Sequence, residues 1–257
     1  MRNVYLLALI FALSLIVIYY FQSHYIHYMT LFSNAFPLFI AGAAVIVSGF
    51  ALRNYWEKLE SKFSRVWLGF SLGMVFWFIS ELIWAIYTLI FDIGVPYPSV
   101  ADVYRLVGYG FLLFAIFTYI ELLRPAVSSK MLATALIFVL PTSVSIVPSL
   151  LLSVSAKASA INLATLIVDL AYPLLDLALL AQAMLGLLVF TRTKLKGGMG
   201  SVWLFINAGI IANAFGDILF SYTNLQSEYY SGHPLELFFH LGYLFFLLSF
   251  YIHTKKL

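Results

Sequence analysis

The sequence contains no cysteine, which excludes disulfides, thiolate metal centres and cysteine nucleophiles. Charge is scarce as well. Charged residues make up 10% of the chain, against about a quarter in soluble domains, so water is not the main solvent of this fold. No long polar segment is present, and none is available to build a separate soluble domain. Histidine is equally sparse as a source of ligands. No His-x-x-x-His or Glu-x-x-His pair occurs, and His24 and His27 read as a wetted interfacial patch, so no metal site is assigned. Only His240 stands well inside a hydrophobic run, too few for axial haem ligation from facing helices. No lysine stands mid-run to form a retinal Schiff base, and the sequence names no cofactor. The net charge of +3 comes from lysines and arginines between the hydrophobic runs and does not point to nucleic acid.

What remains is hydrophobic: 63% of the residues, with phenylalanine and tyrosine prominent. A membrane span needs about 20 apolar residues. Eight runs meet that length: Val4–Phe21, Thr30–Leu52, Val66–Phe91, Val103–Leu123, Met131–Leu152, Ile161–Phe190, Val202–Tyr222 and Leu235–His253. The sixth contains Pro173, which predicts a kink or tilt. The first resembles a signal peptide in following Arg2. Its small-x-small triplet Ala12-Leu13-Ser14 lies inside the run, so a retained span is expected. Placing the N-terminus inside puts every lysine and arginine except Arg105 and Lys157 on the inner side. That bias predicts an all-α, multi-pass protein of the cell membrane with both termini cytoplasmic and the lipid bilayer as its first partner.

An internal repeat organises the spans. Val66-Trp67-Leu68 recurs as Val202-Trp203-Leu204, and the same spacing aligns Pro37 with Pro173, Gly73 with Gly209 and Glu81 with Asp217. After a small gap Gly108-Tyr109 falls on Gly242-Tyr243, and Asp102 on Glu236. Residues 1–125 and 126–257 then form two four-helix repeats within one membrane domain. An even number of spans in each makes the copies parallel, related by a pseudo-twofold axis along the membrane normal.

The acids carry the functional question. Glu121 ends the fourth run near Arg124 and faces water. Glu81, Asp102, Asp169, Asp176, Asp217 and Glu236 belong to the middle or outer half of the membrane. An acid near a helix centre costs about 2.5–3.5 kcal/mol on insertion scales, so such residues face the protein interior and find partners. Helical spacing groups Trp77 with Glu81 and Trp84, Asn213 with Asp217 and Ser221, and Asp169 with Pro173 and Asp176, with His240 one turn beyond Glu236. Convergence would give an acid-rich pocket lined by aromatic rings, suited to a cation, a metal or a polar headgroup. The plainer reading has each acid accepting hydrogen bonds from Trp, Tyr or Asn. Asp102, after Pro98-Ser99, and Glu236, after Pro234, suit helix first turns, whereas Glu81 and Asp217 suit a functional or gating role. Gly69 and Gly73 suit close helix packing.

The segment Pro96-Tyr97-Pro98-Ser99-Val100-Ala101-Asp102-Val103-Tyr104, followed by Gly108-Tyr109 and preceded by the Trp77, Glu81 and Trp84 face, resembles the N-terminal multi-span domain of certain bacterial diguanylate cyclases. Tyr172-Pro173-Leu174-Leu175-Asp176, Gly216-Asp217 and Gly242-Tyr243 extend the likeness through the second half. The resemblance implies a sensor-like input domain without the cyclase, acting through a cytoplasmic signalling partner or other membrane subunits. Gly216-Asp217 with His240 and Tyr243 is also similar to the eight-helix lysoplasmalogenase family, which implies a lipid hydrolase; there the first repeat departs, with Ser80-Glu81 in place of Gly-Asp. The leading expectation is a sensor-like or small-ligand- and lipid-binding module. Its site would use Glu81, Asp217, Asp176, Trp77, Trp84, Asn213, Asp102, Glu236 and His240. A lipid hydrolase, a cation-coupled transporter and a structural subunit are the alternatives.

Overall fold

A computed structural model describes residues 2–56, 59–137, 139–140, 162–193, 199–225 and 228–255. The described residues are helical, with no strand. In chain order the helices are α1 (Arg2–Tyr20), α2 (Ile26–Arg53), α3 (Lys62–Ala85), α4 (Val100–Leu122), α5 (129–137 and 139–140), α6 (Leu163–Thr193), α7 (Met199–Leu225) and α8 (Glu236–Thr254). Among the described residues seven helices, α1 to α4 and α6 to α8, are long and apolar enough to cross a membrane. Most of the expected fifth span, Met131–Leu152, lies outside the described residues.

Local chemistry accounts for several boundaries. Ser61 caps α3 by accepting the Ser64 amide at 3.2 Å. Ser99 and Asp102 form a capping box at the start of α4, the role expected for that acid. The end of α3 widens into a π-turn over Ile86–Ile90. Pro37 and Pro173 sit within continuous helices, so neither ends its span.

The helices α2, α3, α4, α6, α7 and α8 pack in a closed ring in the order α2–α3–α4–α6–α7–α8 and back to α2. Helix α1 leans on α8 from outside, and its row of leucines, isoleucines and valines is exposed. In a bilayer such a surface meets lipid. Tyr19, at the end of α1, reaches Glu236 and His240 at the start of α8. The two helices therefore run antiparallel, and both chain ends lie at the same face of the bundle, here called the terminal face.

Glycine sets the tightest approaches. A Cβ on Gly108 would stand 2.3 Å from Trp77 Cδ1, and one on Gly73 would stand 2.7 Å from Leu112 Cδ2. Gly69 likewise faces Ala115 and the Phe111 carbonyl, so Gly69 and Gly73 serve the α3–α4 contact. Helices α7 and α8 meet in the same way: Gly242 faces Asn213, and Gly209 faces the Gly242 carbonyl. Behind these contacts Trp67, Phe70, Trp77, Tyr109, Tyr243, Phe246 and Phe250 form a fully buried aromatic core.

Candidate functional site

Side chains from five ring helices meet in the half of the bundle away from the terminal face. Arg105 of α4 is the organising residue. It is only 8% exposed, and its Nη1 donates to Glu81 Oε1 of α3 at 2.8 Å and to the Tyr243 hydroxyl of α8 at 2.9 Å. The Tyr243 hydroxyl in turn donates to the same Glu81 oxygen at 2.7 Å. The guanidinium also lies 4.6 Å from the centre of the Trp77 ring, whose indole N–H donates to the Arg105 carbonyl at 3.2 Å. This cation was counted among the outer-loop charges on sequence. It stands instead inside the helix bundle as the ion-pair partner of Glu81, because a charge in a membrane interior needs an opposite charge and hydrogen bonds to compensate for lost hydration.

A second triad adjoins it. The Tyr109 hydroxyl of α4 lies 2.7 Å from Asp176 Oδ1 of α6 and 2.6 Å from Asp217 Oδ2 of α7. Tyr109 is fully buried and Asp176 nearly so, while Glu81 and Asp217 each keep some accessible surface. Asp102 borders the cluster. Its Oδ2 accepts from the Ser99 amide at 2.6 Å and the Ser99 hydroxyl at 2.9 Å, and its Oδ1 accepts from Tyr172 of α6 at 2.8 Å. It therefore caps α4 and ties α6 to it. The site brings together four carboxyls, one guanidinium and three tyrosines, linked almost wholly by bonds between different helices.

Not every expected residue joins this site. Trp84 turns to α2 and donates to Asn34 Oδ1 at 3.1 Å. Asn34 in turn donates to Ser231 Oγ at 2.7 Å. Asn213 bonds its own helix at the Gly209 carbonyl, 2.9 Å away. Glu236 and His240 form a separate cluster. Glu236 Oε1 accepts from Tyr229 and from the Gly232 amide, both at 2.9 Å, and Oε2 accepts from Tyr19 at 3.3 Å. Gly232 has φ +94°, a left-handed conformation that suits glycine, and it aims its N–H at the acid. Tyr229, outside the spans, is held protonated well above the ordinary tyrosine range by burial and then by the Glu236 charge. His240 sits among Tyr19, Phe32 and Phe36. Asp217, His240 and Tyr243, grouped on sequence, thus have different partners. Asp169 accepts from Tyr97 at 2.5 Å at the bundle edge. Glu121 pairs with Lys62 at 3.1 Å rather than with Arg124. Among the described residues no group of three or more histidines, aspartates and glutamates is arranged to hold a metal ion.

The residues missed on sequence are Arg105 and the three tyrosines, Tyr109, Tyr172 and Tyr243. A signal was present. Asp102, Arg105 and Tyr109 follow at i, i+3 and i+7 on one helical face. The two tyrosines of the repeated Gly-Tyr pair are the central hydroxyls of the two triads.

At the terminal face lies an aromatic counterpart. Trp67 stacks on His253 at 3.7 Å between ring centres, and Trp203 stacks on Tyr119 at 3.2 Å. Tyr55, just beyond α2, contacts His253 Nε2 at 2.9 Å, and burial pushes its phenol up to about 12. No protein family, curated protein or solved structure matches this chain.

Proposed function

We propose that this chain is a sensor-like module of the cell membrane, which binds a small cationic or donor-rich ligand at the carboxyl-rich site. The response passes to the terminal face, where a partner protein reads it. The observation that carries the reading is the cross-linking pattern. Glu81, Arg105, Tyr109, Asp176, Asp217 and Tyr243 join α3, α4, α6, α7 and α8 through side chains alone. Changing the charge of one member removes side-chain bonds that hold one helix to its neighbours, which is how a local event becomes a helix displacement. Glu81 and Asp217, the members with accessible surface, are where a ligand would first make contact.

Two further features support the repeat and topology expected from the sequence. The pairings are reciprocal. Glu81 takes its bond from Tyr243 and Asp217 takes its bond from Tyr109, each acid from the first half meeting a tyrosine from the second, and the reverse. Trp67 with His253 and Trp203 with Tyr119 exchange partners in the same way. Two parallel repeats about a pseudo-twofold axis would produce such pairings. The basic residues gathered towards the terminal face favour a cytoplasmic location for both chain ends.

The absence of cysteine makes the test direct. Spin labels on Glu60→Cys and Lys255→Cys, both exposed at the terminal face, report its geometry by pulsed electron spin resonance in nanodiscs. Glu81→Gln and Asp217→Asn are expected to shift the distance distribution while leaving helix content intact. Unchanged distributions in both variants would overturn the reading.

A further inference from the structure

In each triad a tyrosine hydroxyl stands between two charged or acidic side chains, and the comparison assigns a proton. In the first, each hydrogen bond has its donor in plain view: Arg105 donates to the Tyr243 oxygen, and Tyr243 donates to Glu81. In the second, Tyr109 occupies the place of Tyr243 and Asp217 that of Glu81, and Asp176 stands where Arg105 stood. A phenol has one hydrogen. It can donate to Asp217 or to Asp176, not to both, yet both oxygens lie within 2.7 Å of it. Two ionised carboxylates at that separation from one hydroxyl would leave a buried lone-pair contact uncompensated. The missing hydrogen must come from a carboxyl.

We infer that Asp176 is a proton-binding residue: its carboxyl is protonated, donates to Tyr109, and lets Tyr109 donate to an ionised Asp217. The surroundings divide the pair in this sense. Arg105 is the strongest charge acting on Asp217 and outweighs the repulsion from Glu81, whereas at Asp176 the pull of Arg105 is weaker than the repulsion from Asp217. Asp176 is the more deeply sealed of the two acids, and ionising it would set a second negative charge beside Asp217. The ionisable groups around Asp176 are Tyr109, Arg105 and Asp102 on α4, Asp217 on α7, and Tyr172 one turn away on α6. Glu81 and Tyr243 stand behind Asp217 and Arg105. At the neighbouring acids each bond has a donor of its own: Asp102 accepts from Ser99 and Tyr172, and Glu81 from Arg105 and Tyr243.

The step is simple. Asp176 loses one proton to water and becomes a carboxylate, and no other bond breaks. Tyr109 then has one hydrogen for two anions, and α6 loses its tie to α4 at Asp176. Protonation restores the tie. This deepens the sensor reading by naming its ligand as the proton, and it rests on that reading only for the consequence at the terminal face.

The full chain in nanodiscs is titrated from mildly acidic to alkaline pH by infrared difference spectroscopy. The expected result is a protonated-carboxyl carbonyl band at neutral pH that shifts with 13C-aspartate and disappears as pH rises. The band is lost in Asp176→Asn and kept in Asp102→Asn. In Asp176→Glu, which covers the case of an unfolded asparagine variant, it responds to 13C-glutamate in place of 13C-aspartate. Absence of the band in the native chain, or its persistence in Asp176→Asn, overturns the inference. The same titration on the Glu60→Cys and Lys255→Cys labels separates the two claims. A band that titrates over a motionless terminal face leaves the proton site standing and defeats the sensor reading. A terminal face that responds to Glu81→Gln in a protein without the band does the reverse.

Discussion

Removing Arg105 is the most informative single perturbation of this protein. Its guanidinium side chain is 10% exposed and that of Glu81 is 17% exposed, so solvent screens the pair little. Arg105→Met keeps a flexible apolar stem and deletes the charge, two hydrogen bonds and the contact with Trp77. Glu81 is then left with Tyr243 alone. Breaking a buried pair from one side typically costs about 3–5 kcal/mol, because the remaining charge is uncompensated. Replacing both partners removes that charge, so Arg105→Met with Glu81→Leu should recover much of the loss. The expected coupling is at least about 2 kcal/mol, within the range of contacting residues in one network. Unfolding in mixed detergent and SDS micelles, followed by circular dichroism, measures all four corners of the cycle. Arg105→Lys should fall between the native chain and Arg105→Met, since an ammonium keeps the charge but lacks the guanidinium that lies over the Trp77 ring. Additive single and double losses, within about 0.5 kcal/mol, would refute the ion-pair account.

Gly108→Ala should destabilise the α3–α4 contact by driving its methyl into Trp77, whereas Gly110→Ala, with nothing within 4 Å, should stabilise α4 by up to about 1 kcal/mol; the same unfolding titration compares them. His233, in the loop before α8, accepts the Leu235 amide at Nδ1 at 3.2 Å, and burial lowers its proton affinity against the opposing pull of Glu228. The folded state therefore holds the neutral ring. Its contribution is complete above about pH 6.5 and fades as pH falls, because the unfolded chain takes the proton first. A fall in Tm on acidification should shrink in His233→Gln. The Lys62–Glu121 pair is exposed on both sides, so Glu121→Gln should change stability by less than about 1 kcal/mol, with the difference vanishing at high salt.

The sequence alone determined the solvent and the architecture's raw material. Scarce charge and long apolar runs dictate membrane-crossing helices, because only internally bonded backbone is tolerated in lipid. Seven such helices stand among the described residues. The acids were equally legible, since a carboxyl in an apolar run draws attention through its cost. The Asp102 cap was readable as well, because capping depends on residues a few positions apart.

Tertiary structure decided who pairs with whom. Arg105 and Glu81 meet across α3 and α4, and Tyr243 joins them from the last helix. Hydrophobic periodicity says which face turns inward but not which two faces touch or at what height. Tryptophan shows the limit. Trp77 and Trp84 lie on one stripe of α3, yet one serves Arg105 and the other Asn34, because two turns along the helix separate two different neighbours. Glu236 and His240 were separated from the other acids for the same reason. Charge and apolarity are local properties of a chain, whereas the balance of donors and acceptors around Tyr109 exists only once three helices are packed together.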